Sequence, residues 1–211
     1  VDFEPFGGEM PSDWQEGTFS EIILSTVGGD WGKDKPEGNY IKEVYCIRGA
    51  DIPDVTLGNK GKMPIRYILP KNFAQKRLMV GDIVVEISGG SPTQSTGRCA
   101  LITQAFLNRF DREMVCTNFC RAIKPLAEYS TFVYFYLKYL YSQNVMFTYE
   151  NGTTGIKNLD ISGLLETEPV IIPPLDVAVL YANTVSALID TIISNGLENE
   201  TLAAIRDTLL P

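Results

Sequence analysis

Residues 81–98 read GDIVVEISGGSPTQSTGR, and the reading of this stretch sets the type of fold. Asp82-Ile83-Val84-Val85-Glu86-Ile87 has the β-branched richness of a strand. It runs into Ser88-Gly89-Gly90-Ser91-Pro92, a cluster of turn formers, and then into Thr93, Gln94, Ser95 and Thr96, all with hydrogen-bonding side chains. Gly97-Arg98 closes the loop before an apolar run resumes at Ala100-Leu101-Ile102. One strand delivers a polar loop and another takes the chain away. Paired glycines let backbone amides approach a ligand, and successive N–H groups seat an anionic oxygen. A plain polar hairpin turn fits the same residues.

Working outward, strand candidates flank this stretch on both sides. Upstream lie Phe19 to Val27, as a strand or short helix, Tyr45-Cys46-Ile47 and Ile65-Arg66-Tyr67-Ile68; downstream lie Cys99 to Ala105 and Met114 to Ile123. The glycine cluster Gly28-Gly29-Asp30-Trp31-Gly32 lacks the order of a dinucleotide fingerprint. The loop from Leu57 to Pro64 carries Lys60 and Lys62 among glycines, which suits phosphate contact or a solvated turn. Within Met114 to Ile123, Asn118 and Arg121 interrupt an apolar run; they are base-reading types, though a strand with one wet face alternates in the same way, and that fits Arg121 better. Ser130 or Thr131 is placed to cap an aromatic-rich helix to about Tyr141 that covers the sheet, and Asp160 to cap a short helix through Leu165. Pro169 to Ile172 reads as the last strand.

From Leu175 to Leu210 proline is absent and glycine occurs once, at Gly196. Ala178, Tyr181, Val185, Leu188, Ile192, Asn195, Asn199, Leu202, Arg206 and Leu209 step by alternating threes and fours, the spacing of a heptad seam that seeks another helix. A break into two helices at Gly196 is the competing reading. The fold class is α+β: a mixed, sheet-based domain over residues 1–174 with covering helices, followed by a long coiled-coil-type helix over residues 175–211.

Composition narrows the function. The 211 residues are 45% apolar and 21% charged, which suits one good-sized globular domain with an appendage. No signal peptide and no run of about 18 apolar residues is evident, so a cytoplasmic protein with no membrane contact is expected. The chain has no histidine, which removes Ser-His and Cys-His nucleophiles, and its four cysteines form no CxxC pair, so no metal site and no cofactor are expected. The net charge of −8 is uneven: residues 31–124 hold fifteen Lys and Arg against nine Asp and Glu, leaving three against seventeen elsewhere. A basic middle in an acidic frame suits an electrostatic footprint on one face, although solvated surface charge produces the same asymmetry.

Taken in order, Trp31-Gly32, Ile47-Arg48-Gly49-x-Asp51-Ile52, Arg66-x-Ile68, Gly81-Asp82 with Ser88-Gly89-Gly90-Ser91 and Gly97-Arg98, Thr117-Asn118, Gly155-Ile156-Lys157-Asn158-Leu159 and Ile172-Pro173-Pro174-Leu175 before a long helix ending LxxIRxxLLP resemble the specificity subunit of type I restriction-modification systems. The resemblance implies a target-recognition domain that reads one half of a bipartite DNA site, and a spacer helix that pairs antiparallel with a second one. It also implies that methylation, translocation and cleavage belong to separate modification and restriction subunits, with no catalytic residue here. One such unit, without an initiator Met and ending at Pro211, is expected to be a half-subunit or part of a longer chain. Ile172-Pro173-Pro174-Leu175 lacks the amide and the aromatic of a methyltransferase motif and reads as a strand terminator. On this reading Lys60, Lys62, Arg66 and Arg98 neutralise phosphates of double-stranded DNA, amides near Ser88, Gly89, Gly90 and Ser91 position the duplex, and Thr93, Gln94, Ser95, Asn118 and Lys157 are candidates for the base edges. A protein-interaction scaffold with a homodimerising helix and a serine/lysine hydrolase using Ser88 or Ser91 are the alternatives; the hydrolase lacks SxxK spacing.

Overall fold

The computed structural model describes residues 10–89, 91, 93–152 and 156–210. Its strands are β1 (Gln15–Thr18), β2 (Ile23–Gly28), β3 (Lys42–Ile47), β4 (Ile65–Ile68), β5 (Ile83–Glu86), β6 (Ser88–Gly89), β7 (Cys99–Leu101), β8 (Met114–Cys116), β9 (Cys120–Pro125), β10 (Glu150–Asn151), β11 (Lys157–Leu159) and β12 (Pro169–Ile172). Its α-helices are α1 (Ile52–Thr56), α2 (Pro70–Lys76), α3 (Gln104–Leu107), α4 (Ser130–Ser142), α5 (Ile161–Thr167) and α6 (Leu175–Leu209). The central sheet is antiparallel in the order β2-β9-β5-β7. Beside it lies a mixed sheet, β4-β3-β8, in which β3 runs antiparallel to β4 and parallel to β8. A small β10-β11-β6 sheet and a β1-β12 pair complete the α+β head.

All four residues of β5 are buried, because the central sheet is covered on both faces. Ile83 and Val85 pack with Val133 and Leu137 of α4, together with Phe19, Met146 and Leu164. Val84 packs on the other side with Ile47, Ile52, Met114 and Phe106. Strand periodicity therefore divides one apolar run between two cores. The aromatic helix α4 covers the sheet as its composition predicts, but no side chain caps it. A 3₁₀ turn, Ala127–Tyr129, feeds straight into it, so Ser130 is already helical. Asp160 does cap α5, accepting from the Gly163 amide at 2.9 Å.

The α6 helix is continuous for 35 residues, about 52 Å. Gly196 is not a break. A Cβ there would sit 2.2 Å from the Gly58 carbonyl oxygen, so the missing side chain is what lets the helix backbone touch the 57–61 loop. Gly58 answers it, with φ +79° and its own hypothetical Cβ 2.2 Å from the Ile192 carbonyl oxygen. Arg109 bonds the Gly58 carbonyl and pairs with Glu200 at 2.8 Å. The stripe facing the head is Ala178, Ala182, Val185, Ile189, Ile193, Gly196, Glu200 and Ala203, all buried or half-buried. The seam expected from the sequence is thus split: Ala178 and Val185 face the head, while Tyr181, Leu188, Leu202 and Leu209 are exposed. By length and composition alone α6 is also apolar enough to cross a membrane, a test that a packed core helix passes equally, although polar residues such as Asn183 and Asp190 interrupt it.

Candidate nucleic-acid interface

Three segments converge where β5 ends. The apolar run at Met114 to Ile123 is two strands rather than one, joined by a tight turn in which the Cys120 amide donates to the Thr117 carbonyl at 3.0 Å. The Phe119 carbonyl accepts from the amides of Ile87 and Ser88, at 2.9 and 3.2 Å, which fixes the turn against the start of β6. Asn118 and Phe119 stand exposed at its tip, Phe119 by 61%. The loop after β2 is tied to the same turn, since the Asp30 amide donates to the Cys116 carbonyl at 2.8 Å. Gly29 lies so close that a Cβ would be 1.9 Å from the Thr117 carbonyl oxygen. Trp31 follows, 38% exposed.

Arg66 holds Trp31 from behind. Its guanidinium carbon lies 4.0 Å from the centre of the indole ring, its Nε donates to the Trp31 carbonyl at 2.8 Å, and it also bonds the Gly32 carbonyl and Asp34. In front of Trp31 opens a hollow of about 520 Å³, whose walls include Arg48, Glu86, Ser88, Asn118 and Phe119.

Ion pairs clamp the surrounding loops. Arg98 grips both oxygens of Glu86, at 2.7 and 2.8 Å, and this bond holds the guanidinium above its ordinary basicity. Arg48 bonds both oxygens of Asp51, at 2.9 and 3.0 Å. Burial pushes the Asp51 carboxyl up, but Arg48 and the amides of Lys62 and Arg48 outweigh that and hold it below the usual carboxylate range. Glu150 accepts from the amide and hydroxyl of Thr96, at 2.6 and 2.8 Å, and from Lys157 at 2.9 Å. Burial likewise opposes these bonds, and they still keep Glu150 low. One carboxylate thereby joins the end of the 91–96 loop to the β10-β11 pair. β11 in turn pairs with β6 through Lys157 opposite Gly89 and Asn158 opposite Ser88.

Ser88 and Asn118 line the hollow together, Gly89 and Lys157 face each other across the β6-β11 pair, and Ser91, Thr93 and Gln94 lie on the adjoining loop. Thr93 and Gln94 are exposed, and the Ser91 hydroxyl closes its own turn by accepting from their amides. Ser95 is only 3% exposed, so it is withdrawn from any groove. Arg66, 5% exposed, is a support for Trp31 rather than a phosphate contact. Arg98 is engaged by Glu86 and Lys157 by Glu150, whose charges offset theirs. Lys60 and Lys62 are exposed but sit nearer the root of α6: the Lys60 amide donates to Glu200 at 3.2 Å and its ammonium lies over Phe110. The link from that loop to the hollow is Arg48, which donates to the Lys62 carbonyl at 2.7 Å. Gly90 lies outside the described residues.

Trp31 and Arg48 carry the family resemblance in the sequence but are not among the expected site residues, and neither is Phe119. A tryptophan inside a glycine cluster was the available signal for the first. Phe119 was hidden in an apolar run, although Thr117-Asn118 is a turn-forming pair. No group of three or more metal-ligating side chains occurs among the described residues. Burial pushes the thiols of Cys46, Cys99, Cys116 and Cys120 up to about 12, which leaves them unreactive at neutral pH. What the site offers is open aromatic faces, amide and hydroxyl groups, and charges neutralised in pairs.

No curated protein sequence matches the chain. Among solved structures, the chain is similar to one from work described as the structural basis underlying complex assembly and conformational transition of the type I R-M system, with TM-score 0.53 and 16% identity, covering 94% of this chain and 45% of that one. It is similar to the S subunit of a type I restriction-modification system from M. genitalium, with TM-score 0.52 and 20% identity over 95% of this chain and 45% of that one. It also resembles the HsdS subunit from Thermoanaerobacter tengcongensis, with TM-score 0.50 and 17% identity over 98% and 42%. The chain spans less than half the length of each. The profile of the type I restriction modification DNA specificity domain matches residues 11–204, and the chain belongs to that family.

Proposed function

We propose that this chain is a non-catalytic, sequence-specific DNA-recognition module that reads one half of a split site for a cytoplasmic type I restriction-modification enzyme. The supporting observation is the convergence, at one end of the head, of three separate segments: the connection after β5 with Ser88, the turn with Asn118 and Phe119, and the loop after β2 with Trp31. Ion pairs fix these segments while their charges cancel, which leaves hydrogen-bonding side chains to discriminate bases. Lys60 and Lys62 supply sequence-independent attraction from the neighbouring loop. Residues 1–174 form the recognition unit, and the helix over 175–211 is the spacer that docks modification and restriction subunits.

Selection of duplexes from a random pool tests this directly. An enriched half-site is expected, and Gln94→Ala should lose preference at one position by about 1–3 kcal/mol while leaving other positions alone. A pool without enrichment sinks the proposal. The exposed stripe of Tyr181, Leu188, Leu202 and Leu209 favours a second property, pairing of α6 with a like helix. Light scattering should then show a dimer that Leu188→Ser with Leu202→Ser converts to a monomer.

A further inference from the structure

We infer that the hollow between Trp31 and Phe119 receives one nucleobase displaced from the duplex stack, so that a position of the site is read by stacking and not by its groove edge. This rests on the DNA-recognition reading and adds to it a ligand class and two contact residues. A nucleobase has flat faces that stack on aromatic rings and a rim of donors and acceptors. The hollow matches both features. Two large aromatic side chains stand exposed at it, Trp31 by 38% and Phe119 by 61%, and Ser88, Asn118 and Arg48 provide the rim. Its volume of about 520 Å³ lies in the range of small-ligand sites and leaves room for a base with its sugar.

The walls are also set in advance. Trp31 is backed by the Arg66 guanidinium, itself held by two carbonyls and Asp34, so the ring does not need ordering on binding. Phe119 stands on a turn whose carbonyl takes two amides from the β5-β6 connection. Glu86 lines the hollow, but both its oxygens are engaged by Arg98, which removes the repulsion that a bare carboxylate would exert on a phosphodiester strand. An intact base pair presents only its edge to a protein and would leave both aromatic faces unused.

The test uses the full chain and a duplex carrying the selected half-site, with each base pair replaced in turn by a mismatch and, separately, by an abasic residue. One position is expected at which a mismatch tightens binding by about tenfold, because the cost of unpairing is gone. An abasic residue there, in the strand that donates the base, should bind at least about fivefold more weakly than the mismatch, because nothing remains to stack. Phe119→Ala should abolish both effects and Trp31→Phe should retain part of them; the exposure of Phe119 makes its variant foldable, which the unfolding midpoint checks. Mismatches that weaken binding or do nothing at every position overturn the inference and leave recognition of an intact duplex. A mismatch gain that survives Phe119→Ala overturns it as well, by placing the base elsewhere. A pool that yields no enriched site overturns the recognition reading itself, a result distinct from either.

Discussion

The reading end of the head and the root of α6 each hold an irregular segment at a fixed place, and they do so by different means. At the root, backbone lies against backbone: Gly58 and Gly196 meet with no room for a methyl group, and Arg109 joins the loop to Glu200. At the reading end, the segments are joined by carboxylates: Asp51 and Glu150 each serve two partners, and Glu86 is gripped through both oxygens by Arg98. Close packing tolerates no change of side chain and gives rigidity. Ion-paired clamps fix the loops while leaving neighbouring side chains free to differ. On the proposed DNA-recognition reading, discrimination needs the first at the attachment and the second at the tip.

The contrast is breakable. The largest effect is expected at the root: Gly196→Leu should destabilise the chain by about 3 kcal/mol or more in urea unfolding, since the side chain must displace the Gly58 backbone. Next, Arg66→Ala should cost about 2–3 kcal/mol through the loss of its bonds to two carbonyls and Asp34, with the salt dependence of DNA binding unchanged. A flatter salt slope would return Arg66 to the role of phosphate contact. Glu150→Gln should cost about 1–2 kcal/mol at pH 7. Because the folded carboxyl is held below its ordinary value of 4.5, its contribution is present above that pH and is lost as pH falls through the lowered value. The gap between wild type and variant should therefore close once pH has fallen below that lowered value, and a gap that persists would show that charge is not what clamps the loop. The smallest effect belongs to Lys60→Ala, with stability unchanged within about 0.5 kcal/mol, all duplexes weakened alike and the salt slope reduced by about 1.

Much of the fold was legible because local pattern and tertiary environment agree. The run Ile83-Val84-Val85 is a strand by propensity and by burial on both faces, and Asp160 stands where a helix cap is needed. Where the two disagree, the sequence misleads. Phe119 is as apolar as its neighbours, and only the turn beneath it shows that it points outward. A count of cations does not reveal which are neutralised from afar: Arg66 meets Asp34 and Arg98 meets Glu86 across stretches that composition cannot connect. The heptad count found the length of α6 but not its phase, because apolar residues lie on both the docked and the open face, with the two stripes about 100° apart around the helix.

The bare contact at Gly196 acts as an index mark between two moving parts of a mechanism. Insert one residue after Ala203, where the docked stripe ends, and Leu209 swings through about 100° while the head keeps its seat on Gly196. Insert the residue just before it and the glycine leaves its notch, so the head must either turn with the helix or let go. The direction in which the head's loops look is thereby geared to helical phase, and a change of a single residue in the rod is a change of bearing as well as of length.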